Sequence, residues 1–212
     1  MKCLACHSNS DAVATGAGVQ VTNSFFKVLD DVVKLFHNNI TVDDLTIWHQ
    51  QTGSAFQLSW NTRNAVTNGT VTNIDFVAVD RNTGSLERTA GTGADYPDGS
   101  RLDGNINNAL VNARNFMGGS ISNVTISNVR FDARPFQLMQ LQLKDHRDNF
   151  TTGIGDINNV VLQDVTMPSA PLVQSYLLDN GQGDISNVSQ IRISAAGASL
   201  DDDVVIEQTD PR

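Results

Sequence analysis

Residues 39–47 read Asn39-Ile40-Thr41-Val42-Asp43-Asp44-Leu45-Thr46-Ile47, and the same frame recurs along the chain. It returns as Asn68-Gly69-Thr70-Val71-Thr72-Asn73-Ile74-Asp75-Phe76 and as Asn123-Val124-Thr125-Ile126-Ser127-Asn128-Val129-Arg130-Phe131. A further copy is Asn159-Val160-Val161-Leu162-Gln163-Asp164-Val165-Thr166-Met167; Gly18 to Phe26 is a first copy and Asn187 to Ile193 a weak last one. Within each copy apolar residues alternate, a polar Asn or Asp interrupts, and the alternation resumes. That pattern describes a strand, a corner and a second strand, with no room for a helix between them.

The copies start at 18, 39, 68, 123, 159 and 187, in steps of 21, 29, 55, 36 and 28 residues. Each step fits one coil of a solenoid, except 55, which fits two coils or one coil with a long excursion. Coils of about 20–30 residues stacked on their neighbours form a parallel β-helix, an all-β fold. One coil cannot bury its inward Val/Ile/Leu row, but neighbours at about 4.8 Å bury a continuous column. Asn at the corner suits left-handed backbone geometry and stacks with Asn of the next coil. Asn39, Asn68, Asn123, Asn149 and Asn187 also head N-x-Ser/Thr sequons. Because four of them share the repeat's corner or flank its frame, structural Asn is the preferred reading over glycan attachment.

Composition agrees. The chain of 212 residues is 40% hydrophobic and only 17% charged, and is rich in Asn, Thr, Val, Ile, Asp and Gly. That is a strand-and-turn composition, in a chain long enough for one elongated array. A formal net charge of −9 argues against nucleic acid as a partner. No run approaches the roughly 18 apolar residues of a membrane span, and Met1 to His7 does not read as a signal peptide. Strand-like pattern begins almost at Met1, so an upstream part carrying earlier coils is expected. An uncovered first coil leaves an open strand edge, which would favour association through residues 1–20. Oligomeric state itself is not readable.

Cys3-Leu4-Ala5-Cys6-His7 matches the haem-attachment pattern C-x-x-C-H. A cytochrome would follow it with amphipathic helix, whereas strands follow here, and no second Cys/His pair completes a metal site. Two cysteines in an early coil is the reading adopted, with no cofactor and no metal. Three stretches break the array. Gly91 to Ser100 is turn-rich and reads as a loop excursion, without calcium-loop spacing. Leu138 to Arg147 reads as a short helix or a bulged coil. The domain expectation is therefore a β-helix over residues 1–200 and an acidic, solvated tail over 201–212.

Three carboxylates stand where strand patterns break into turns. Asp11 precedes Asp30 by 19 residues and Asp31 by 20, close to the 21-residue step of the first two copies. One coil of separation places Asp11 beside Asp30 and Asp31, at roughly 5–9 Å. That is the range in which glycosidases hold an acid and a base about a bond and a water. Like charges so close cannot all ionise easily, so at least one pKa must rise. Successive strand residues point to opposite faces, however, so Asp30 and Asp31 share one face only if a corner intervenes. The alternative is structural: one carboxylate caps a corner while another pairs with Lys34.

The run Asp30-Asp31-Val32-Val33-Lys34-Leu35-Phe36-His37, with Val42-Asp43-Asp44-Leu45-Thr46-Ile47-Trp48, resembles glycoside hydrolase family 49, the dextranases and isopullulanases. The likeness continues through Gly53 to Asn64, and Ser10-Asp11 resembles the family's Thr-Asp-Gly element at the family's spacing. It is good over roughly residues 8–80 and thin beyond. The resemblance implies a right-handed, pectate-lyase-like parallel β-helix that hydrolyses an α-glucan polysaccharide with inversion, outside the cell. It implies Asp30 as general acid, Asp11 and Asp31 as holders of the attacking water, and Lys34 as electrostatic support. Trp48 and Trp60 are expected to stack on sugar rings, with core tryptophan as the alternative. His37 and His49 are expected substrate contacts, with solvent-exposed histidine as the equal alternative. Two departures stand out: Ala12 replaces the family's Gly after the first Asp, and Val77 to Arg81 carries no histidine. The pectin-cleaving relatives add Gly-His-Gly and Arg-x-Lys elements, which are missing from the sequence, so a galacturonan substrate is disfavoured. The competing reading is a non-catalytic β-helix that binds glycan.

Overall fold

A computed structural model of the chain describes residues 2–4, 10–50, 53–60, 64–80, 109–114, 119–143, 155–172, 174–179, 183–201 and 204–208. The chain winds alternately through two sheets. Strands β1 (Lys2–Leu4), β3 (Gln20–Val28), β5 (Thr41–Gln50), β7 (Val66–Asp80), β9 (Ile121–Phe131), β11 (Ile157–Met167) and β14 (Ser189–Ala195) lie side by side in the larger sheet. Strands β2 (Val13–Ala14), β4 (Val33–Lys34), β6 (Phe56–Trp60), β8 (Ala109–Arg114), β10 (Gln137–Gln142), β12 (Ser175–Asp179) and β16 (Val204–Gln208) form the second. Every neighbour in that second sheet is parallel. Sequence neighbours in one sheet are thus separated by a strand of the other, which is the topology of a parallel β-helix. The short β13 (Ile185–Ser186) pairs with β11, and an antiparallel β15 (Ala198–Ser199) closes one edge of the larger sheet.

The repeat frame coincides with a backbone feature. Ser24, Leu45, Ile74, Val129, Val165 and Ile193 stand in one register row. The residue before each of them (Asn23, Asp44, Asn73, Asn128, Asp164 and Arg192) has positive φ. A second column of positive φ runs through Gly18, Asn39, Asn68, Asn123, Asn159 and Asn187, the starts of the copies. Short polar side chains tolerate this conformation because they satisfy nearby polar groups, and here they bond along the stack. Asn68 Nδ2 donates to Asn39 Oδ1 at 3.1 Å, and Asn159 Nδ2 to Asn123 Oδ1 at 2.8 Å. In the other column Asn73 Nδ2 donates to Asp43 Oδ1 at 2.7 Å. Arg192 departs from the short-side-chain rule, and its guanidinium forks onto both oxygens of Asp164 in the coil before. The ladder engages the sequon asparagines 39, 68 and 123. That favours the structural reading of those residues.

Inside, the rows are apolar. Phe26, Ile47 and Phe76 are buried and in register, and Phe76 stacks on Phe131 with ring centroids 4.3 Å apart. From the opposite sheet Val33, Phe56, Val111 and Met139 form a facing row with no solvent exposure. The 55-residue step resolves as one coil with an excursion, because β7 pairs directly with β9. Most of that excursion, including residues 91–100, lies outside the described residues. Of the stretch expected to be a helix or bulged coil, 138–142 belongs to β10, buried on both faces, and 144–147 lies outside the described residues. Within the stretch expected as an acidic tail, Val204 to Gln208 is a strand paired with β12. Cys3 lies in β1 and packs against the core, while Cys6 and His7 lie outside the described residues.

Candidate functional site

The aspartates sit at the corners that lead into the second sheet. Asp11 immediately precedes the turn into β2, and Asp30 and Asp31 fill the irregular stretch between β3 and β4. Coil stacking brings these corners together: Ala12 N–H donates to Asp31 O at 3.0 Å, and Val13 N–H to Val32 O at 3.0 Å. An oxygen from each of the three carboxylates lies within 4.8 Å of the others. The corner required by the alternating geometry of strands is therefore present, and the cluster is tighter than the expected 5–9 Å. Ala12, in place of glycine, is accommodated because its backbone stays outside the positive-φ region.

Lys34, at the end of β4, supplies the counter-charge. Its Nζ lies 2.6 Å from Asp11 Oδ2 and 3.4 Å from Asp31 Oδ2. Burial works against its charge, but the Asp11 hydrogen bond and the charges of Asp31 and Asp11 outweigh it and raise its pKa. The next coil completes the site. Ser54 N–H donates to Asp31 Oδ1 at 2.8 Å and Ser54 Oγ donates to the same oxygen at 3.0 Å. Gly53 just before it has φ of +79°, and a Cβ there would lie 2.4 Å from Asp30 Oδ1 and from Asp31 N. Glycine is required at that position on both counts, conformation and space.

The two adjacent carboxyls are unequal. Asp30 is pushed up to about 6, first by burial and then by the charges of Asp31 and Asp11. Asp30 Oδ1 accepts one hydrogen bond, from Asp31 N–H at 3.0 Å. Asp31 is more deeply buried and its pKa stays raised on balance, the two Ser54 donors and Lys34 offsetting part of the effect of burial. The site thus holds one carboxyl suited to carrying a proton near neutrality and two carboxylates tied to a cation. Such a set can donate a proton to a leaving oxygen while orienting a water. Three carboxylates this close also offer cation ligands, and the single Lys34 ammonium pairs with two of them, Asp11 and Asp31.

The other expected residues are positioned elsewhere. His37 is half-buried in the turn after β4, and Trp60 ends β6 at 36% exposure, in register with Arg114. Trp48 belongs to the larger sheet, half-buried, with Lys27 Nζ 3.7 Å from its ring centroid. His49, expected as a substrate contact or a solvent-exposed histidine, is buried. It packs against Phe76, its Nε2 has no hydrogen-bond partner among the described residues, and burial holds its pKa down to about 4. Sequence reading missed Gly53 and Ser54 as site residues. The signal available was a Gly-Ser pair one coil after an Asp-Asp pair.

A parallel β-helix with an aspartate cluster on stacked corners is the class of protein that fold and site define. No protein-family model matches the chain. It is 34% identical over 55 residues to a dextranase of Arthrobacter sp. (strain CB-8), covering 26% of this chain and 9% of that one. A dextranase of Arthrobacter globiformis is 33% identical over 64 residues, covering 30% of this chain and 10% of its own length. In fold the chain matches Dex49A from Penicillium minioluteum with a TM-score of 0.53 at 16% identity, over 91% of this chain and 31% of that one. The chain thus resembles glycoside hydrolase family 49 in sequence over part of its length and in fold over nearly all of it. The matched stretches span about a tenth of the Arthrobacter relatives, and the fold match under a third of Dex49A.

Proposed function

We propose that the chain carries the hydrolytic site of an O-glycosyl hydrolase acting on an α-glucan polysaccharide of the dextran or pullulan type. The observation that carries the reading is the placing of Asp11, Asp30 and Asp31 within 4.8 Å of one another, with one of the three raised to about 6. The likeness to dextranases supplies the substrate class.

In this reading Asp30 is the general acid and protonates the departing glycosidic oxygen. Asp11 and Asp31 accept the two hydrogens of one water and deprotonate it as it attacks. Oxygens that share a tetrahedral water at hydrogen-bond distance lie about 4.5 Å apart, which suits the cluster. Lys34 sits against both carboxylates, 2.6 Å from Asp11 Oδ2 and 3.4 Å from Asp31 Oδ2. By separation alone the cluster, within 4.8 Å, lies nearer the carboxyl spacing usual in retaining glycosidases, about 5–5.5 Å, than that usual in inverting ones, about 6.5–9.5 Å. Endo attack with inversion rests on the family resemblance, as does action outside the cell. Trp60, exposed at the end of β6, is the better placed of the two tryptophans to stack on a sugar ring.

The test is reducing-sugar release from dextran, pullulan and polygalacturonate. Release from one of the two α-glucans and none from polygalacturonate is expected. No release from any of them, by a chain whose circular dichroism shows folded β structure, would favour the glycan-binding reading.

A further inference from the structure

Two neighbouring carboxyls of one corner must take opposite roles, and nothing in Asp30-Asp31 itself says which carries the proton. The third coil makes that choice. Gly53 brings its backbone against the Asp30–Asp31 peptide, closer than any side chain would allow. That approach aims the Ser54 N–H and Oγ at a single oxygen, Asp31 Oδ1, at 2.8 and 3.0 Å. Ser54 is fully buried, so water does not compete for these bonds. The other oxygen of Asp31 faces the Lys34 ammonium at 3.4 Å. Donors at both oxygens favour the ionised form of a carboxylate and offset part of the rise that burial causes. Asp30 accepts one backbone hydrogen bond and has two carboxylates beside it.

We infer that Ser54, presented by the Gly53 turn, is the positioning residue that keeps Asp31 ionised and leaves the proton of the pair on Asp30. The inference rests on the hydrolytic reading only for its consequence, because proton placement is a property of the resting protein. The charged groups acting on Asp31, among the described residues, are Asp11, Asp30 and Lys34, and no variant below changes any of them.

The experiment is a site-assigned carboxyl 13C NMR titration of the full chain, as wild type, Ser54→Ala and Ser54→Thr. In the wild type Asp31 is expected to titrate at lower pH than Asp30. In Ser54→Ala the Asp31 transition rises by about one pH unit, the scale of one lost hydrogen bond to a charged group, and the Asp30 transition falls. Ser54→Thr, which keeps the hydroxyl, restores the wild-type order. Asp31 titrating above Asp30 in the wild type overturns the inference without any variant. So does an unchanged pair of transitions in folded Ser54→Ala. Dextran hydrolysis measured on the same samples separates the two ideas. Shifted titrations in a chain that cleaves nothing leave the proton assignment standing and remove the enzyme; unshifted titrations in an active chain do the reverse.

Discussion

Lys34 Nζ and Asp11 Oδ2 meet at 2.6 Å, though they stand 23 residues apart on adjacent coils. The pair ties one corner of the solenoid to the next and leaves Asp11 one coil from Asp31, where the proposed shared water can sit. Because both side chains keep some solvent exposure, 19% and 36%, the bond is worth little to stability, about 1 kcal/mol or less. Its value is positional. Lys34→Met is therefore expected to change the melting temperature by only a few degrees while lowering kcat roughly a hundredfold. A melting-temperature loss with unchanged kcat would mark Lys34 as structural.

Asp30 makes the opposite trade. Its folded pKa, about 6, lies above the ordinary 3.8, so its contribution to stability is fully present below pH 3.8 and is lost as pH rises through 6. At neutral pH the protein carries the cost of an ionised, half-buried carboxylate beside two others. Asp30→Asn removes that cost and is expected to stabilise the fold at pH 7 by about 1–2 kcal/mol after allowing for solvent screening, with no gain at pH 3.5. Urea denaturation at the two pH values measures the difference. Equal stability changes at both would contradict the assigned shift.

His49 runs the other way. Buried, and without a partner for Nε2 among the described residues, it has its pKa held at about 4, below the ordinary 6.5. Its contribution is complete above pH 6.5 and is lost as pH falls from 6.5 to 4, by about 3 kcal/mol at the lower end. Replacing it with Leu, whose neighbours in register are Val28 and Val79, is expected to flatten that part of the stability profile. A profile between pH 4 and 6.5 that is the same in His49→Leu as in the wild type would show that His49 is not the group responsible.

Gly53→Ala places a methyl group 2.4 Å from Asp30 Oδ1 and Asp31 N, in a conformation that disfavours a side chain. A loss of about 2–4 kcal/mol is expected from strain and overpacking together, with activity lost along with the Ser54 contacts. Asn128→Ala, in the bend column, is the milder comparison. It loses the tolerance of left-handed geometry and the bond to Asn73, for about 1–2 kcal/mol, and Asn128→Gly recovers part of it. Chemical denaturation of the three variants ranks them. Gly53→Ala matching Asn128→Ala would mean the third coil can move away from Asp30 at little cost.

How far the sequence alone reaches depends on periodicity. The column starts at 18, 39, 68, 123, 159 and 187 were legible because each needs Gly or Asn, and all have positive φ. The Asp11–Asp31 juxtaposition was legible for a related reason: their 20-residue spacing is close to the 21-residue step of the first two copies. Ser54 was not, because a serine one coil later is chemically ordinary until the backbone of Gly53 is seen to press on Asp30. Nor was the burial of His49, whose strand alternation points it inward between Val28 and Val79 although its side chain is polar. The strand Val204–Gln208 was hidden behind the acidic run before it, where charge outweighed a short apolar stretch.

The most direct measurement is the pH dependence of dextran hydrolysis by the native chain, set beside Asp30→Asn. With Asp30 as the acid, kcat/KM falls as pH rises past about 6, and the Asn variant, while remaining folded, loses at least a hundredfold below pH 6 with a gap that narrows as pH rises. An Asp30→Asn chain that releases reducing sugar at the native rate would contradict the assignment.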